Sequence, residues 1–332
     1  GKLLRLSGKN GESTNASPRF QKQEGRHLKN TKKKKVSLKR TWPLHLMLLP
    51  GILILFIYTI LPFFGNIMAF QNFQPILGFF KSPWVGLDNF KYMFMLPDTF
   101  NIFRNTLVIA VGKIVFNLIM SIFFAILLYE MGGKRFKKMV QTICFLPHFL
   151  SWVILAMIFR DILDGSGIIN TTLINLGIIS EPIVFLGSND LFQGIMIATD
   201  VWKEFGYGAI IFIAALAGIN QELYEAASID GASRLQKIWN ITLPGIKVTV
   251  VLVATLNVAN VLNAGFDQIY NMYSPIVYET GDIIDTYVYR MSFESAQYSL
   301  ATAVGLLKSI VSFLLIVSSN FLARKFANYR IF

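Results

Sequence analysis

Glu225-Ala-Ala-Ser-Ile-Asp230-Gly231-Ala232, running on through Ser233-Arg-Leu-Gln-Lys-Ile-Trp-Asn-Ile-Thr to Leu243-Pro244, is a compact polar insert between two long apolar runs. Asn220, just upstream, can cap a helix: its side-chain oxygen accepts an otherwise orphan backbone N–H, and Glu222 in the first turn complements the helix dipole. That helix is expected to be short. Gly231 costs about 1 kcal/mol inside a helix relative to Ala and takes up positive φ readily, so a bend between two short helices is expected there. Pro244 closes the segment. Ala226, Ala227 and Ala232 leave little bulk beside Glu225 and Asp230, which suits a knob that another protein grips closely. On composition alone the same residues suit an ordinary solvated loop helix equally well.

The runs on either side set the class. The chain has 332 residues, 54% of them hydrophobic and 15% charged, with a mean hydropathy of +0.51. That is too apolar for one soluble domain of ordinary makeup. Apolar spans able to cross a ~30 Å hydrocarbon core with about 20 residues are expected near 44–70, 104–129, 138–162, 190–218, 247–272 and 301–323. Pro50 and Pro147 fall inside spans and should kink them. The expected fold is therefore an all-α polytopic membrane protein of six transmembrane helices. It divides into a basic tail (1–41), a first transmembrane helix with its outer loop (42–99), a core transmembrane domain (100–325) that carries the polar insert (220–245), and a short C-terminal tail (326–332).

Positive charge orients the spans. Lys134, Arg135, Lys137 and Lys138 join spans two and three, Arg234, Lys237 and Lys247 flank the insert, and Arg324, Lys325 and Arg330 follow the last span. The segment 163–189 has no Lys or Arg, and 273–300 has only Arg290. By the positive-inside rule both termini and the Glu225 insert are expected in the cytoplasm, as for a multi-pass protein of the cell membrane. Residues 1–41 carry 13 Lys or Arg against Glu12 and Glu24; such a segment cannot bury enough surface to order itself. Directly before an apolar span, it is expected to contact anionic lipid rather than nucleic acid. The apolar run that follows lies too far from the terminus for a cleaved signal peptide. Cys144 has no partner for an internal disulfide, and His27, His45 and His148 are too scattered for a metal cluster, so no metal site is expected. No Gly-x-x-x-x-Gly-Lys-Ser/Thr occurs, so nucleotide hydrolysis is expected in another chain.

The spacing Glu-Ala-Ala, two residues, Asp-Gly-Ala, then Ile241-x-Leu-Pro244 resembles the EAA loop of ABC importer permeases, the cytoplasmic coupling helix that docks on an ATPase. Ile238 departs from the family's usual Phe. Leu49-Pro-Gly51, Ala69-Phe-Gln-Asn-Phe73 and Ser82-Pro-Trp-Val-Gly86 are further similar to the complex-sugar and polysaccharide branch of these type I permeases, alginate importers included. The resemblance implies that Glu225, Ala226, Ala227, Asp230, Gly231, Ala232, Leu243 and Pro244 couple to an ATPase dimer, which holds the ATP and Mg; this chain would bind no cofactor. It also implies a second homologous permease, an external solute-binding protein and a sugar substrate. An ATPase dimer closing on ATP would move the coupling helices as rigid bodies and switch the bundle between inward-facing and outward-facing states.

For the transport path, intramembrane charge is the guide, because it is costly and usually faces a cavity or partner. In span four Asp200, Lys203 and Glu204 lie about one turn apart, with Trp202 and Tyr207 nearby; Lys203 can pair with either acid. Span five is clearer: at 100° per residue Asn257, Asn260, Asn263, Asp267, Gln268 and Asn271 fall within an arc of roughly 140°, leaving the remaining face to Val, Leu and Ala. Amides and carboxylates can bond sugar hydroxyls, and Trp and Tyr offer flat faces to pyranose rings. The expected path residues are Asn257, Asn260, Asn263, Asp267, Trp202, Glu204 and Tyr207. Hydrogen bonding between helices is the competing role for the same stripe. Lys113 and Lys308 also fall in spans, where they can snorkel, pair or line the path. A peptide or glycerol phosphate permease would share these features. A secondary transporter would too, but has no reason to carry the Glu225–Pro244 insert. A membrane enzyme would need a motif such as HExxH, and none is present.

Overall fold

The computed structural model describes residues 38–258 and 260–327; the expected tail through residue 37 and the last residues, 328–332, lie outside them. Among the described residues the regular structure is helical, with one isolated antiparallel bridge between Gln71 and Trp84. Two units are distinguished, one ending at Phe64 and one starting at Gly65.

In the first unit, α1 (Leu38–Leu55) contains Pro43 and Pro50 and continues through a wide turn, Phe56–Ile60. The missing proline N–H groups leave carbonyls unbonded, which a membrane helix tolerates. The apolar stretch His45–Phe70, whose last six residues belong to the second unit, is 26 residues long, enough to span a bilayer.

In the second unit, α2 (Asp88–Met95) precedes α3 (Asp98–Glu130), whose 33 residues reach about 50 Å at 1.5 Å per residue. Then come α4 (Lys134–Phe145), α5 (Trp152–Leu163), α6 (Ile168–Asn175) and α7 (Asn189–Ala217). The insert holds α8 (Gln221–Ile229) and α9 (Arg234–Lys237), and α9 runs through a wide turn at Ile238–Thr242 into α10 (Leu243–Val258). Last are α11 (Phe266–Met272), α12 (Ile284–Tyr289) and α13 (Tyr298–Ala327). Among the described residues four helices are long and apolar enough to cross a membrane, and six spans result if each of two bent pairs counts as one.

α3 and α7 pack along their length, and glycines set how close the helices come. A Cβ on Gly208 would lie 2.6 Å from Ser121 Oγ, and one on Gly206 would collide with the Cys144 carbonyl of α4. Phe124, Leu128, Phe212, Leu216 and Ile246 fill the core at the insert end. Ile109, Phe192, Met196, Leu262, Ile269 and Ile283 fill the other end.

Two expected spans are not continuous helices. Span three, expected over 138–162, breaks at Pro147: α4 tightens at Leu146–Phe149, Leu150 is extended, and Ser151 caps α5 by accepting the Ile154 N–H at 3.3 Å. The two arms meet at 101°, far beyond a kink, because a capping Ser begins a new helix just where proline ends the old one.

Span five, expected over 247–272, breaks after Val258. Asn260 N–H bonds to Asn257 O at 2.9 Å and Asn263 N–H to Asn260 O at 2.8 Å, and Gly265 sits at φ +92° before α11 begins. The single polar arc is thus corrected. Asn257 lies on α10, Asn260 and Asn263 on a loop, and Asp267, Gln268 and Asn271 on a separate short helix.

The segments between spans are ordered and internally bonded. Asn170, fully buried, donates to Asp164 O and Ile183 O and accepts from Ile183 N–H, at 2.8–2.9 Å. Asp282 and Arg290 are not free loop charges but a pair at 2.5 Å. Burial pushes the Asp282 carboxyl above the usual carboxylate range, against the pull of Arg290.

Candidate functional site

Where span five breaks, a cavity of about 740 Å³ opens between α3, α7 and α10. α3 presents Lys113, Asn117 and Ser121 to it, and α7 presents Asp200, Glu204, Tyr207 and Gly208; spacings of three and four residues put each set on one helix face. The far wall is Asn257, Asn260, Asn263 and Gly265.

Five of the expected path residues therefore meet here: Glu204, Tyr207, Asn257, Asn260 and Asn263. Trp202 and Asp267 do not line the cavity. Trp202 stands edge-on to Phe159 at 5.6 Å, and Asp267 is exposed in the first turn of α11, where a carboxylate suits the helix dipole.

The charges in the wall are paired. Lys113 Nζ lies 3.3 Å from Asp200 Oδ1, donates to Ala264 O at 2.7 Å and bonds the Gln268 amide oxygen. Asn117 Nδ2 donates to the other Asp200 oxygen at 2.9 Å. Gln268, fully buried, donates onward to Met196 O and Thr199 Oγ1 at 2.8 and 2.7 Å. The ammonium of α3 thus binds a carbonyl that the broken helix leaves free. Lys203 takes Glu204 rather than Asp200, at 2.7 Å. Glu204 also lies 2.6 Å from His148 Nδ1, and the His148 ring stacks on Tyr207 at 3.8 Å. Lys308 pairs with Asp285 at 2.6 Å, away from the cavity.

At the insert, α8 begins as expected: the Glu222 N–H donates to Asn220 Oδ1 at 3.0 Å. Asp230 ends it, Gly231 turns the chain at φ +76°, and Ser233 and Gln236 form a capping box for α9. Glu225, Ala226, Asp230, Gly231 and Pro244 are exposed, whereas Ala227, Ala232 and Leu243 are half-buried. Tyr224 ties α8 to the bundle through Thr242 Oγ1 at 2.9 Å, and burial raises its phenol above the ordinary range. Ile229 and Leu235 project outward, 87% and 69% exposed.

Residues 121–328 match the model of the binding-protein-dependent transport system inner membrane component family. The chain belongs to this family. The permease is 42% identical over 291 residues to Protein LplB of Bacillus subtilis (strain 168), which covers 87% of this chain and 91% of that protein. It is 38% identical over 291 residues to the polygalacturonan/rhamnogalacturonan transport system permease protein YteP of the same organism, covering 87% and 90%. Among solved structures, a bacterial ABC transporter involved in the import of the acidic polysaccharide alginate matches with a TM-score of 0.79 and 36% identity, over 87% of this permease and 97% of that chain. A bacterial alginate ABC transporter in complex with an alginate pentasaccharide-bound periplasmic protein matches at 0.80 and 34%, over 89% and 98%. This permease is accordingly a multi-pass membrane transport subunit of the all-α, type I ABC importer fold.

Sequence reasoning left Lys113 undecided and passed over Asn117 and Ser121. Their signal was a polar residue every fourth position, 113, 117 and 121, in an otherwise apolar span.

Proposed function

We propose that this permease, paired with a second homologous permease, forms the translocation path for an oligosaccharide or polysaccharide delivered by an external solute-binding protein. The cavity supports this reading: three asparagine side chains, Tyr207 and a carboxylate face a space large enough for sugar rings, and the relatives' names are those of glycan transporters. Amides bond hydroxyls as both donor and acceptor, and Tyr207, already stacked on His148, has its ring braced to meet a pyranose face.

The energy would come from a separate ATPase dimer carrying ATP and Mg, with Glu225, Ala226, Ala227, Asp230, Gly231, Ala232, Leu243 and Pro244 as the docking knob. An importer must engage its ATPase from the cytoplasm, so the insert and both termini would lie there, in keeping with the positive charges around them. The basic tail would meet anionic lipid. No covalent chemistry falls to this chain.

The test is Asn257→Ala, Asn260→Ala and Tyr207→Ala, each measured for assembled complex on a sizing column and for glycan uptake per assembled complex. The proposal expects assembly to be retained and uptake per complex to fall at least tenfold, the loss of about 1.4 kcal/mol of hydrogen bonding or stacking. Unchanged uptake per complex would make the asparagines interhelical glue and place the sugar elsewhere.

A further inference from the structure

We propose that the turn Gln74-Pro-Ile-Leu-Gly-Phe-Phe-Lys-Ser-Pro-Trp84 seats in the lipid interface of the membrane, anchoring the permease there by Ile76 and Phe80. In a loop that faces water, polar side chains point out and apolar ones in. This turn is built the other way round. Its polar groups are spent inward: Gln71, 1% exposed, donates to Phe79 O at 2.9 Å. Ser82, 3% exposed, accepts the Gln74 N–H at 3.1 Å and donates to Gly78 O at 2.7 Å. The bond from Asn72 N–H to Pro83 O at 2.8 Å closes the base. Ile76 and Phe80 are left fully outside, at 98% and 101% exposure, with Trp84 at 63%. Those inward bonds fix the turn, so the two apolar side chains cannot fold back under it.

Its level in the membrane follows from what holds it. The Phe73 N–H donates to Ser299 Oγ at 2.8 Å, and the Phe73 ring meets Tyr298 edge-on at 6.1 Å. Tyr298 and Ser299 are the first two residues of α13, an apolar span. The turn also starts four residues after Phe70, where the stretch His45–Phe70 ends. The end of an apolar span marks the boundary between hydrocarbon and head groups. Trp and Phe with a nearby cation, here Lys81, are the side chains that settle there, the rings in the acyl boundary and the ammonium among phosphates. Such seating does not depend on the solute carried.

The experiment uses the full chain, purified with the subunits that accompany it and placed in vesicles of phosphatidylethanolamine and phosphatidylglycerol. In a Cys144→Ser background, Ile76→Cys, Phe80→Cys and Lys91→Cys are each given a nitroxide, and its collisions with oxygen and with a water-soluble nickel chelate are compared. Oxygen should dominate at positions 76 and 80, and the chelate at 91, whose side chain is 68% exposed. Chelate dominance at both 76 and 80 overturns the proposal. So do labels immobilised only after an external binding protein is added, which give the surface to that protein. Labels shielded from both colliders already in detergent give it to a second permease, and overturn the proposal too. Phe80→Trp, read by extra quenching from lipids brominated high on the acyl chain, tests the same seat without a thiol: extra quenching supports it, and none refutes it.

Discussion

Replacing Lys113 by Met keeps the side chain's length and removes its charge and donors. Breaking a buried ion pair from one side costs about 3–5 kcal/mol, most of it for the charge left behind. Asp200 is 15% exposed at its side chain and faces a cavity of about 740 Å³ that admits water. Asn117 still donates to it. The lower end, about 3 kcal/mol, therefore applies; the orphaned Ala264 carbonyl adds about 1 kcal/mol. The shift per kcal/mol is about 2–4 °C for chains of 150–250 residues and falls with length, so for 332 residues the melting point of Lys113→Met should fall by roughly 6–8 °C. The assay is retention of the monodisperse peak after heating in detergent. Lys113→Met with Asp200→Asn removes both charges and should recover more than half of the loss. A fall of less than about 2 °C, or a double variant no more stable than the single, would refute the view that the pair holds the span-five break against α3.

Glu225→Lys and Gly231→Pro should abolish substrate-stimulated ATP hydrolysis while leaving the permease in the membrane. Glu225 is exposed, so the fold does not need it, and proline near −65° cannot take the +76° of Gly231; normal coupling by both in proteoliposomes would remove the insert from the docking role. In a Cys144→Ser background, thiols at Ser180→Cys and Ser295→Cys, both exposed, should react with an impermeant maleimide applied to intact cells, and a thiol at Ser233→Cys should not; outside labelling of the last would invert the proposed orientation.

What could be read from sequence was local. The Asn220 cap and the Gly231 turn depend on neighbours within three residues, and both stand where expected. Helix length and apolarity likewise gave six spans. Span five was misread because Asn257, Asn260 and Asn263 keep helical spacing, although an Asn-rich stretch ending in Gly265 also signals a turn; the bond from Lys113 to Ala264 O at that break joins residues far apart in sequence, which spacing does not reveal. Trp202 was misplaced for a simpler reason. At 100° per residue it stands about 200° round the helix from Asp200, whereas Glu204 and Tyr207 lie within about 40° of it. The pairings Lys113–Asp200 and Lys308–Asp285 join residues on different helices, and sequence spacing carries no information about such partners.

The stretch from Arg234 to Val258 is one helical rod of 25 residues, about 37 Å long at 1.5 Å per residue. One end is the second helix of the insert and the other carries Asn257 at the cavity wall. Past the rod, the loop from Asn260 to Gly265 is a joint. A strut that ends in a joint delivers a displacement at its tip and transmits little past it. A push applied at Arg234 therefore arrives at Asn257, while α11, fastened separately through Gln268 to Met196 O and Thr199, can stay where it is.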